Sequence, residues 1–263
     1  AAWLDRLDRN PALHDKIEFE IAQTCMDFCF EARMRERYPD VLTRSRSAVF
    51  CRHLQELTNN CMQLGPDGTV ALALDGIAEL RSRQTVVAPP QNGSFLPYLA
   101  GLLDECRKFG TFPFAILARH AFIAESLLRS AAEREALSHE RLMTLKASLR
   151  TIAGELSSDF DAAAEGRLSR ETFLHKFGHL RPSTYDILSP SYAEREDLFD
   201  TTAPVKPGQR TQQTFSFTQA EETAISTLLK EAGLHADADH LLAYVRKVIP
   251  AREFAKFVFS RHI

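Results

Sequence analysis

One apolar repeat constrains the fold of this chain more than any other feature. Between residues 142 and 163, apolar side chains recur every three or four positions, at Leu142, Leu145, Leu149, Ile152, Leu156, Phe160 and Ala163. That spacing gathers them on one face of an α-helix, whereas the side chains of a strand alternate with a period of two. Ser138, just before the repeat, is a typical N-cap residue. The repeat therefore predicts an amphipathic helix that buries one face against other helices.

Signals for the start and end of helices recur along the whole chain. Thr218 and Glu221 form a capping-box pattern, Pro113 suits a first helical turn, and Gly110 and Gly178 suit helix ends. Pro250 predicts a kink or a restart in the last helix. The predicted helices cover residues 10–38, 43–61, 70–80, 95–109, 113–131, 138–163, 169–177, 218–233 and 237–263. In the second of these, the residues expected to face inward are Val49, Leu54, Leu57 and Cys61.

The fold class predicted from these signals is all-α, a multi-helix domain with antiparallel helix pairs. Helices 113–131 and 138–163 are joined by a tight turn, which favours antiparallel packing. Alternating strand patterns are nearly lacking, and residues 85–88 and 214–217 are weak candidates. Four prolines interrupt residues 182–214, which predicts a long irregular arm.

The expected organisation is a helical core at 1–178, a motif-bearing arm at 179–214 and C-terminal helices at 215–263. The chain starts without Met, and Phe257-Val258-Phe259 stands near its end with no polar or Gly-rich stop. We therefore expect the last helices to continue into a longer parent protein.

Composition excludes several classes of function. Lys and Arg total 32 against 35 Asp and Glu, so nothing favours a nucleic-acid partner. No apolar run near the roughly 20 residues of a membrane span stands out, and no signal peptide is visible. The odd cysteine count, five, favours reduced thiols and a cytoplasmic location. Cys25 and Cys29 could share a helix face, but the spacing favours buried structural thiols over a zinc site.

No self-sufficient catalytic signature is present. The chain has neither a Gly-rich phosphate loop nor a GxSxG turn. His139-Glu140 begins an HExxH pattern, but Met143 stands where the second His is required. We therefore expect no catalytic residue, no metal ligand and no cofactor within the chain itself.

The richest polar cluster is the stretch 177–186, which reads FGHLRPSTYD. Arg181 could hold a phosphate or carboxylate with both arms of its guanidinium, and His179 could donate to an anion or move a proton. Thr184, Tyr185 and Asp186 complete the candidate substrate-binding set. The alternative interpretation is structural: Asp186 pairs with Arg181, and the cluster only fixes a loop.

A second candidate cluster lies on the last helix. Arg252 and Lys256 stand four residues apart, so they project from one face and could form a basic rim for a phosphorylated ligand. The alternative is an ordinary solvated face in which Glu253 pairs with nearby charges. The neighbouring Phe254, Phe257, Val258 and Phe259 are expected to form core or interdomain contacts.

Four stretches carry a resemblance to a known family. Residues 173–192, FLHKFGHLRPSTYDILSPSY, resemble a segment of phosphoenolpyruvate synthase and pyruvate phosphate dikinase-like proteins, and more narrowly a bacterial subgroup with YGHLRPGTYDILSPRY. Residues 10–20, 109–115 and 251–257 resemble that subgroup too, in colinear order. Two departures are Ser183, where the family has Gly, and Pro250, inside a helix that is usually continuous.

The resemblance implies a division of labour. Such enzymes use ATP and Mg in an ATP-grasp domain, and a swivelling domain carries the phosphoryl group on a His. This chain resembles the helical middle region between or beside those domains, which would then be its partners. His179, Arg181 and Arg252 would line a substrate or interdomain surface. The parent would be a transferase of the kinase or dikinase type, and its acceptor — pyruvate, an antibiotic or a sugar — stays open.

Two hypotheses follow. In the first, the chain is a non-catalytic helical connector or acceptor-binding domain of such a phosphotransferase, inactive alone. In the second, it is a helical protein-interaction or scaffold module with no ligand, in which His179 and Arg181 only fix a loop and an exposed apolar patch binds a partner.

Overall fold

The computed structural model describes residues 25–37, 39, 44–84, 95–181, 188–199 and 214–262, and these ranges contain helices and no strand. The all-α prediction is therefore confirmed. The helices, in chain order, are α1 (Phe30–Arg37), α2 (Arg44–Cys61), α3 (Thr69–Gln84), α4 (Phe95–Glu105), a π-helical turn (Cys106–Thr111), α5 (Phe112–Glu133), α6 (His139–Ser148), α7 (Ile152–Ala164), α8 (Arg170–Phe177), α9 (Gln219–Glu231) and α10 (Ala238–Phe259). Short 3₁₀ turns cover Tyr192–Glu194 and Ser260–His262.

Several helix starts lie where local sequence predicts them. Ser169 caps α8 by accepting a hydrogen bond from the Thr172 backbone N–H at 3.1 Å. Thr218 and Glu221 form the predicted reciprocal capping box at the start of α9. These caps depend only on residues within one turn, which is why the sequence suffices to find them.

The apolar repeat at 142–163 forms two helices instead of one. α6 ends at Ser148, and Thr151 starts α7 by accepting from the Gly154 backbone N–H at 3.2 Å. Leu142 and Leu145 are buried on α6. The apolar spacing stays in phase across the break, so periodicity alone does not reveal that a new cap begins there.

The region around Gly110 also differs from the prediction. Gly110 does not stop a helix, because the chain remains helical from Phe95 to Glu133 through the π-helical turn. A Cβ at Gly110 would lie 2.8 Å from the Cβ of Phe259 and 3.1 Å from Leu80 Cδ2. The glycine is thus required for close packing and does not act as a helix terminator.

The remaining predictions about helices and cysteines are confirmed in part. The helix predicted from residue 10 lies outside the described residues as far as residue 24. Cys25 and Cys29 precede α1 and do not share a helix face, but both are buried, and all five cysteines are free thiols. Val49 is exposed, contrary to prediction, whereas Leu54 is buried. α10 continues through Pro250, so the proline does not restart the helix.

One described run, Phe95–Glu133, is long and apolar enough to cross a membrane, contrary to the sequence expectation. Its mean hydropathy is 1.2 in the best window, of which 44% is buried inside the protein. The core helices of globular proteins often meet the same criterion, so the run is weak evidence for a membrane span.

The chain divides into two compact units, each built from three separate stretches of the chain. Unit 1 comprises residues 1–68, 119–146 and 215–246, and unit 2 comprises residues 69–118, 147–214 and 247–263.

In unit 1, side chains of α2 hold the turn that follows α9. The Asn59 amide donates to the Gly233 carbonyl at 3.0 Å, and its Oδ1 accepts from the His235 backbone N–H at 2.7 Å. Gly233 has a φ of +68°, a conformation that suits glycine at a helix C-terminus.

α5 and α6 form the predicted antiparallel pair, in which Lys146 bonds to Glu125 at 2.6 Å across the connecting turn.

Residues 214–217 form no strand, and residues 215–217 belong to unit 1. Arg141 donates to the Ser216 carbonyl at 2.6 Å, lies 4.3 Å from the Phe215 ring centroid and pairs with Glu221 at 2.8 Å. Arg246 donates to the Phe215 carbonyl. Guanidinium groups thus satisfy the carbonyls that a neighbouring strand would otherwise bond. The strand prediction for residues 214–217 is wrong, and the other candidate, residues 85–88, lies outside the described residues.

Unit 2 contains an aromatic cluster around α7 and α8. Phe173 and Phe177 are fully buried, and partly buried Phe160, Tyr192, Phe199 and Phe257 pack against them. Phe160 meets Phe173 at 5.8 Å between ring centroids, while Lys176 bonds to Asp159 at 2.8 Å. The residue that comes earlier on α7 contacts the residue that comes later on α8, so α7 and α8 are antiparallel.

Candidate functional site

The predicted motif begins where α8 ends. Gly178 occupies the C-cap with a φ of −57°, so it does not need the left-handed conformation. A Cβ there would collide with the Leu174 carbonyl oxygen and lie 3.2 Å from the Ala193 Cβ. The glycine allows the chain to return close to α8: the Ala193 N–H bonds to the Gly178 carbonyl at 2.9 Å, and the Tyr192 N–H bonds to the Leu180 carbonyl at 2.8 Å.

His179 is held against the C-terminal part of α10. Its Nε2 lies 3.1 Å from the Phe257 carbonyl oxygen, and its ring meets the Phe257 ring edge-on at 4.9 Å. Burial, and secondly the positive charge of Arg261, lowers the pKa of His179 to about 4. The imidazole is therefore neutral near pH 7, with Nε2–H donating to the carbonyl and Nδ1 left as an acceptor. It supplies no positive charge to an anion at that pH.

Arg181 bonds to the segment 189–194, which runs back to the C-terminal end of α8. Its guanidinium donates to the Ser189 carbonyl and reaches the Glu194 carboxylate at 3.3 Å. Glu194 also accepts from the Ser191 backbone N–H at 2.6 Å. That hydrogen bond, followed by weaker effects that include Arg181, lowers the pKa of Glu194. The described contacts of Arg181 thus join the two flanks of the motif.

Three members of the candidate set, Thr184, Tyr185 and Asp186, lie outside the described residues. The ion pair expected between Arg181 and Asp186 lies there too. The sequence identified a loop-fixing partner near Arg181 by proximity alone, and the partners that the structure describes are Ser189 and Glu194.

The described contacts of His179 include neither Arg252 nor Lys256. Both are partly exposed on α10. At about 100° per residue, Arg252 projects about 140° and Lys256 about 100° around α10 from Phe257, the residue that His179 contacts. Between them, Glu253 accepts from the Ala153 backbone N–H at 3.2 Å, in the first turn of α7. The described partner of Glu253 is therefore a backbone N–H, whereas the alternative interpretation of the sequence expected Glu253 to pair with nearby charged side chains.

A second basic pair was not visible in the sequence. Arg81, on α3, lies over the Phe254 ring with its Cζ 5.9 Å from the centroid. Arg261, just after α10, lies 5.7 Å from the Phe257 centroid and donates to the Lys176 carbonyl at 2.9 Å. The i, i+3, i+7 register of Phe254, Phe257 and Arg261 was available in the sequence, but nothing in it pointed to Arg81.

Metal and thiol chemistry find little support among the described residues. No group of three or more His, Cys, Asp or Glu side chains there is arranged to hold a metal ion. Burial raises the pKa of Cys25 to about 12 and that of Cys29 to about 11, so neither thiol is activated. His240 bonds to the Met62 carbonyl at 2.8 Å.

An exposed apolar face lies on α4. Leu96 is 76% exposed and Leu103 is 64% exposed, while Phe95 and Leu99 are exposed beside them. Positions 96, 99 and 103 follow helical spacing, so they form one stripe. By contrast, Val258 and Phe259 of the aromatic C-terminal helix are buried, and Phe259 meets Phe114 at 5.1 Å.

The chain matches no family model, and no curated protein or solved structure matches it.

Proposed function

We propose that this chain is a helical connector region of a phosphoenolpyruvate synthase or pyruvate phosphate dikinase-like phosphotransferase. In this proposal the ATP-grasp and phospho-His domains of the same cytoplasmic polypeptide bind ATP and Mg and transfer the phosphoryl group. The helical region positions the carrier or contributes a surface to the acceptor, and it has no catalytic residue of its own.

One observation carries the proposal. Two of the four stretches that resemble the family contact each other in unit 2, and a third contacts Phe259, two residues beyond one of them. Residues 173–192 contact 251–257 through His179 and Phe257, and residues 109–115 contact the end of α10 through Gly110 and Phe114 against Phe259. The fourth stretch, 10–20, lies outside the described residues. Residues that are scattered along the chain thus build one packed corner, as expected if the motif serves a shared structural element.

The chemistry of that corner favours a connector over a reactive site. The neutral His179 and the engaged Arg181 both bond to backbone carbonyls. A phosphoryl carrier would instead need an accessible imidazole nitrogen aimed at solvent or substrate. These side chains are therefore better suited to hold a surface in place than to react.

The first test is the coding sequence on either side of this segment. We expect an ATP-grasp domain and a Gly- and Ser/Thr-rich loop around a phosphorylatable His. A gene product confined to residues 1–263 would refute the proposal. Phosphorus NMR supplies a biochemical test, in which the purified chain should not turn over ATP or phosphoenolpyruvate.

A pair of variants in the intact enzyme separates acceptor binding from loop fixing. Arg181→Ala removes both the guanidinium and the clamp, whereas Glu194→Gln weakens the clamp and keeps the guanidinium. If Arg181 only fixes the loop, both variants should lower kcat/KM without raising KM for the acceptor. Glu194→Gln should have the smaller effect, because the bond from Arg181 to the Ser189 carbonyl remains. A loss confined to Arg181→Ala, with KM for the acceptor raised about tenfold or more, would assign Arg181 to the acceptor.

The exposed stripe of α4 favours a second candidate function, a protein-interaction module. Leu96 and Leu103 are large apolar side chains left open to solvent, which is the usual property of a contact surface. Replacing both with Gln should leave the fold intact. If the chain is an interaction module, the variant should lose a partner, whereas unaltered assembly of the intact protein would count against this function.

A further inference from the structure

Arg81 and Arg261 share one face of unit 2. Their guanidinium carbons lie 5.9 Å and 5.7 Å from the ring centroids of Phe254 and Phe257, respectively. The two rings are three positions apart on α10, which makes them neighbours on the helix surface. The amide of Gln84, one turn after Arg81 on α3, donates to the Val258 carbonyl at 2.8 Å and fixes α3 beside α10. Two positive groups are therefore brought to the same aromatic surface from distant parts of the chain.

Two other cations of unit 2, Arg83 and Lys176, are paired with carboxylates. Arg83 bonds to Glu79 at 2.7 Å and to Glu105 at 3.0 Å. Lys176 bonds to Glu155 at 3.2 Å and to Asp159 at 2.8 Å. Among the described residues, no carboxylate lies within ion-pair distance of Arg81 or Arg261.

The pair is also electrostatically unfavourable as it stands. Burial, and then the positive charge of Arg81, lowers the pKa of Arg261. Two like charges held on one surface repel each other, and an anion placed between them would relieve that repulsion. One nitrogen of Arg261 donates to the Lys176 carbonyl at 2.9 Å and to the His175 carbonyl at 3.4 Å. The rest of its guanidinium makes no hydrogen bond with the described residues, so its other donors can face an anion.

We propose that Arg81 and Arg261 form a binding site for the phosphate group of a small phosphorylated molecule. The donors of a guanidinium group match the oxygens of phosphate in geometry. The two positive charges of Arg81 and Arg261 also balance the charge of a phosphate dianion, whereas a ligand with a single carboxylate would neutralise only one of them. The Phe254 and Phe257 rings form an apolar wall beside the phosphate. This inference stands on unit 2 alone and does not depend on the proposed function.

The test uses the whole chain with inorganic phosphate as the probe. Binding is measured by calorimetry at constant ionic strength, against chloride as the baseline. Arg81→Gln and Arg261→Gln should each weaken phosphate binding about tenfold or more, since each removes a charged hydrogen-bonding partner. Arg52→Gln, which removes an exposed charge on α2 in unit 1, should leave binding unchanged.

The imidazole of His179 reports independently on the same site. Because the charge of Arg261 contributes to the low pKa of His179, bound phosphate should raise that pKa, as followed by NMR. Arg261→Gln should raise it without phosphate and abolish the phosphate effect. The proposal is overturned if phosphate binds no better than chloride, or if both variants bind phosphate as the wild type does. Circular dichroism of each variant excludes loss of the fold as the cause.

Discussion

His120 and Tyr244 form a hydrogen-bonded pair in the core of unit 1, with His120 Nδ1 2.9 Å from Tyr244 Oη. Both side chains are buried, and the Tyr244 hydroxyl also lies 3.2 Å from the His120 carbonyl oxygen. If Nδ1–H donates to the hydroxyl and the hydroxyl donates to the carbonyl, the three groups satisfy one another. The pair is therefore a polar contact on which the core of unit 1 depends.

Tyr244→Phe should lower the free energy of unfolding by about 1–3 kcal/mol, because it removes a buried hydroxyl that lies within hydrogen-bond distance of two groups of His120. Urea denaturation measures the change. Tyr98→Phe is the matched control, since the Tyr98 hydroxyl makes no hydrogen bond with the described residues, and it should change stability little. Equal effects of the two variants would show that the His120 contact contributes nothing.

The same pair predicts a pH dependence. Burial, and then the charge of Arg119, lowers the folded-state pKa of His120 to about 4 from the usual 6.5. Between these values the unfolded chain binds a proton that the folded chain does not, so stability falls as pH falls from 6.5 to 4. The full loss from His120 is roughly 3 kcal/mol at about 1.4 kcal/mol per pKa unit.

Urea midpoints measured from pH 7 to pH 4 check this dependence, with His120→Asn as the comparison. The variant is expected to start less stable and to lose less on acidification, because its side chain does not titrate. His179, whose pKa is also lowered to about 4, adds a loss of the same sign in both proteins. Parallel curves for wild type and variant would contradict the prediction.

The fold could be predicted from the sequence wherever its determinants are local. Ser169 and Thr218 bond to backbone groups within one helical turn, so residue type and spacing suffice to place them. Gly110 shows the limit: its role depends on Phe259, which lies far along the chain and becomes its neighbour only after folding. A glycine inside an apolar pattern can either end a helix or allow close packing within one, and the sequence alone does not distinguish these two roles.

The candidate site shows the same limit at the level of side chains. Sequence proximity suggested Asp186 as the partner of Arg181, but the described contacts are with Ser189 and Glu194, which the returning chain brings close. Arg252 and Lys256 lie four residues apart on α10 as expected, but neither is among the described contacts of His179. Arg81 and Arg261 lie over neighbouring rings only because α3 and α10 pack together, which no local pattern encodes.

Two glycines in adjacent helical segments provide a matched test of close packing. Gly110→Ala should destabilise the protein by about 1–3 kcal/mol, because the new Cβ would lie 2.8 Å from the Phe259 Cβ, an atom next to the backbone that cannot rotate away. Gly101→Ala, on α4, meets nothing within 4 Å and should be neutral or stabilising by up to about 1 kcal/mol. Thermal unfolding of both variants checks the pair, and equal shifts would refute the packing role of Gly110.

Two threonines that make the same local hydrogen bond separate a local contribution from a long-range one. Thr58 and Thr223 both donate to the carbonyl four residues earlier, at 2.7 Å and 2.9 Å. Buried Thr58 also accepts from the Met26 backbone N–H at 2.9 Å, whereas Thr223 is exposed. Thr58→Val keeps the shape but strands a buried donor, so it should lower the free energy of unfolding by about 1–3 kcal/mol. Thr223→Val should change it by less than about 0.5 kcal/mol. A Thr58→Val protein as stable as Thr223→Val in urea would mean that the Met26 amide finds another partner.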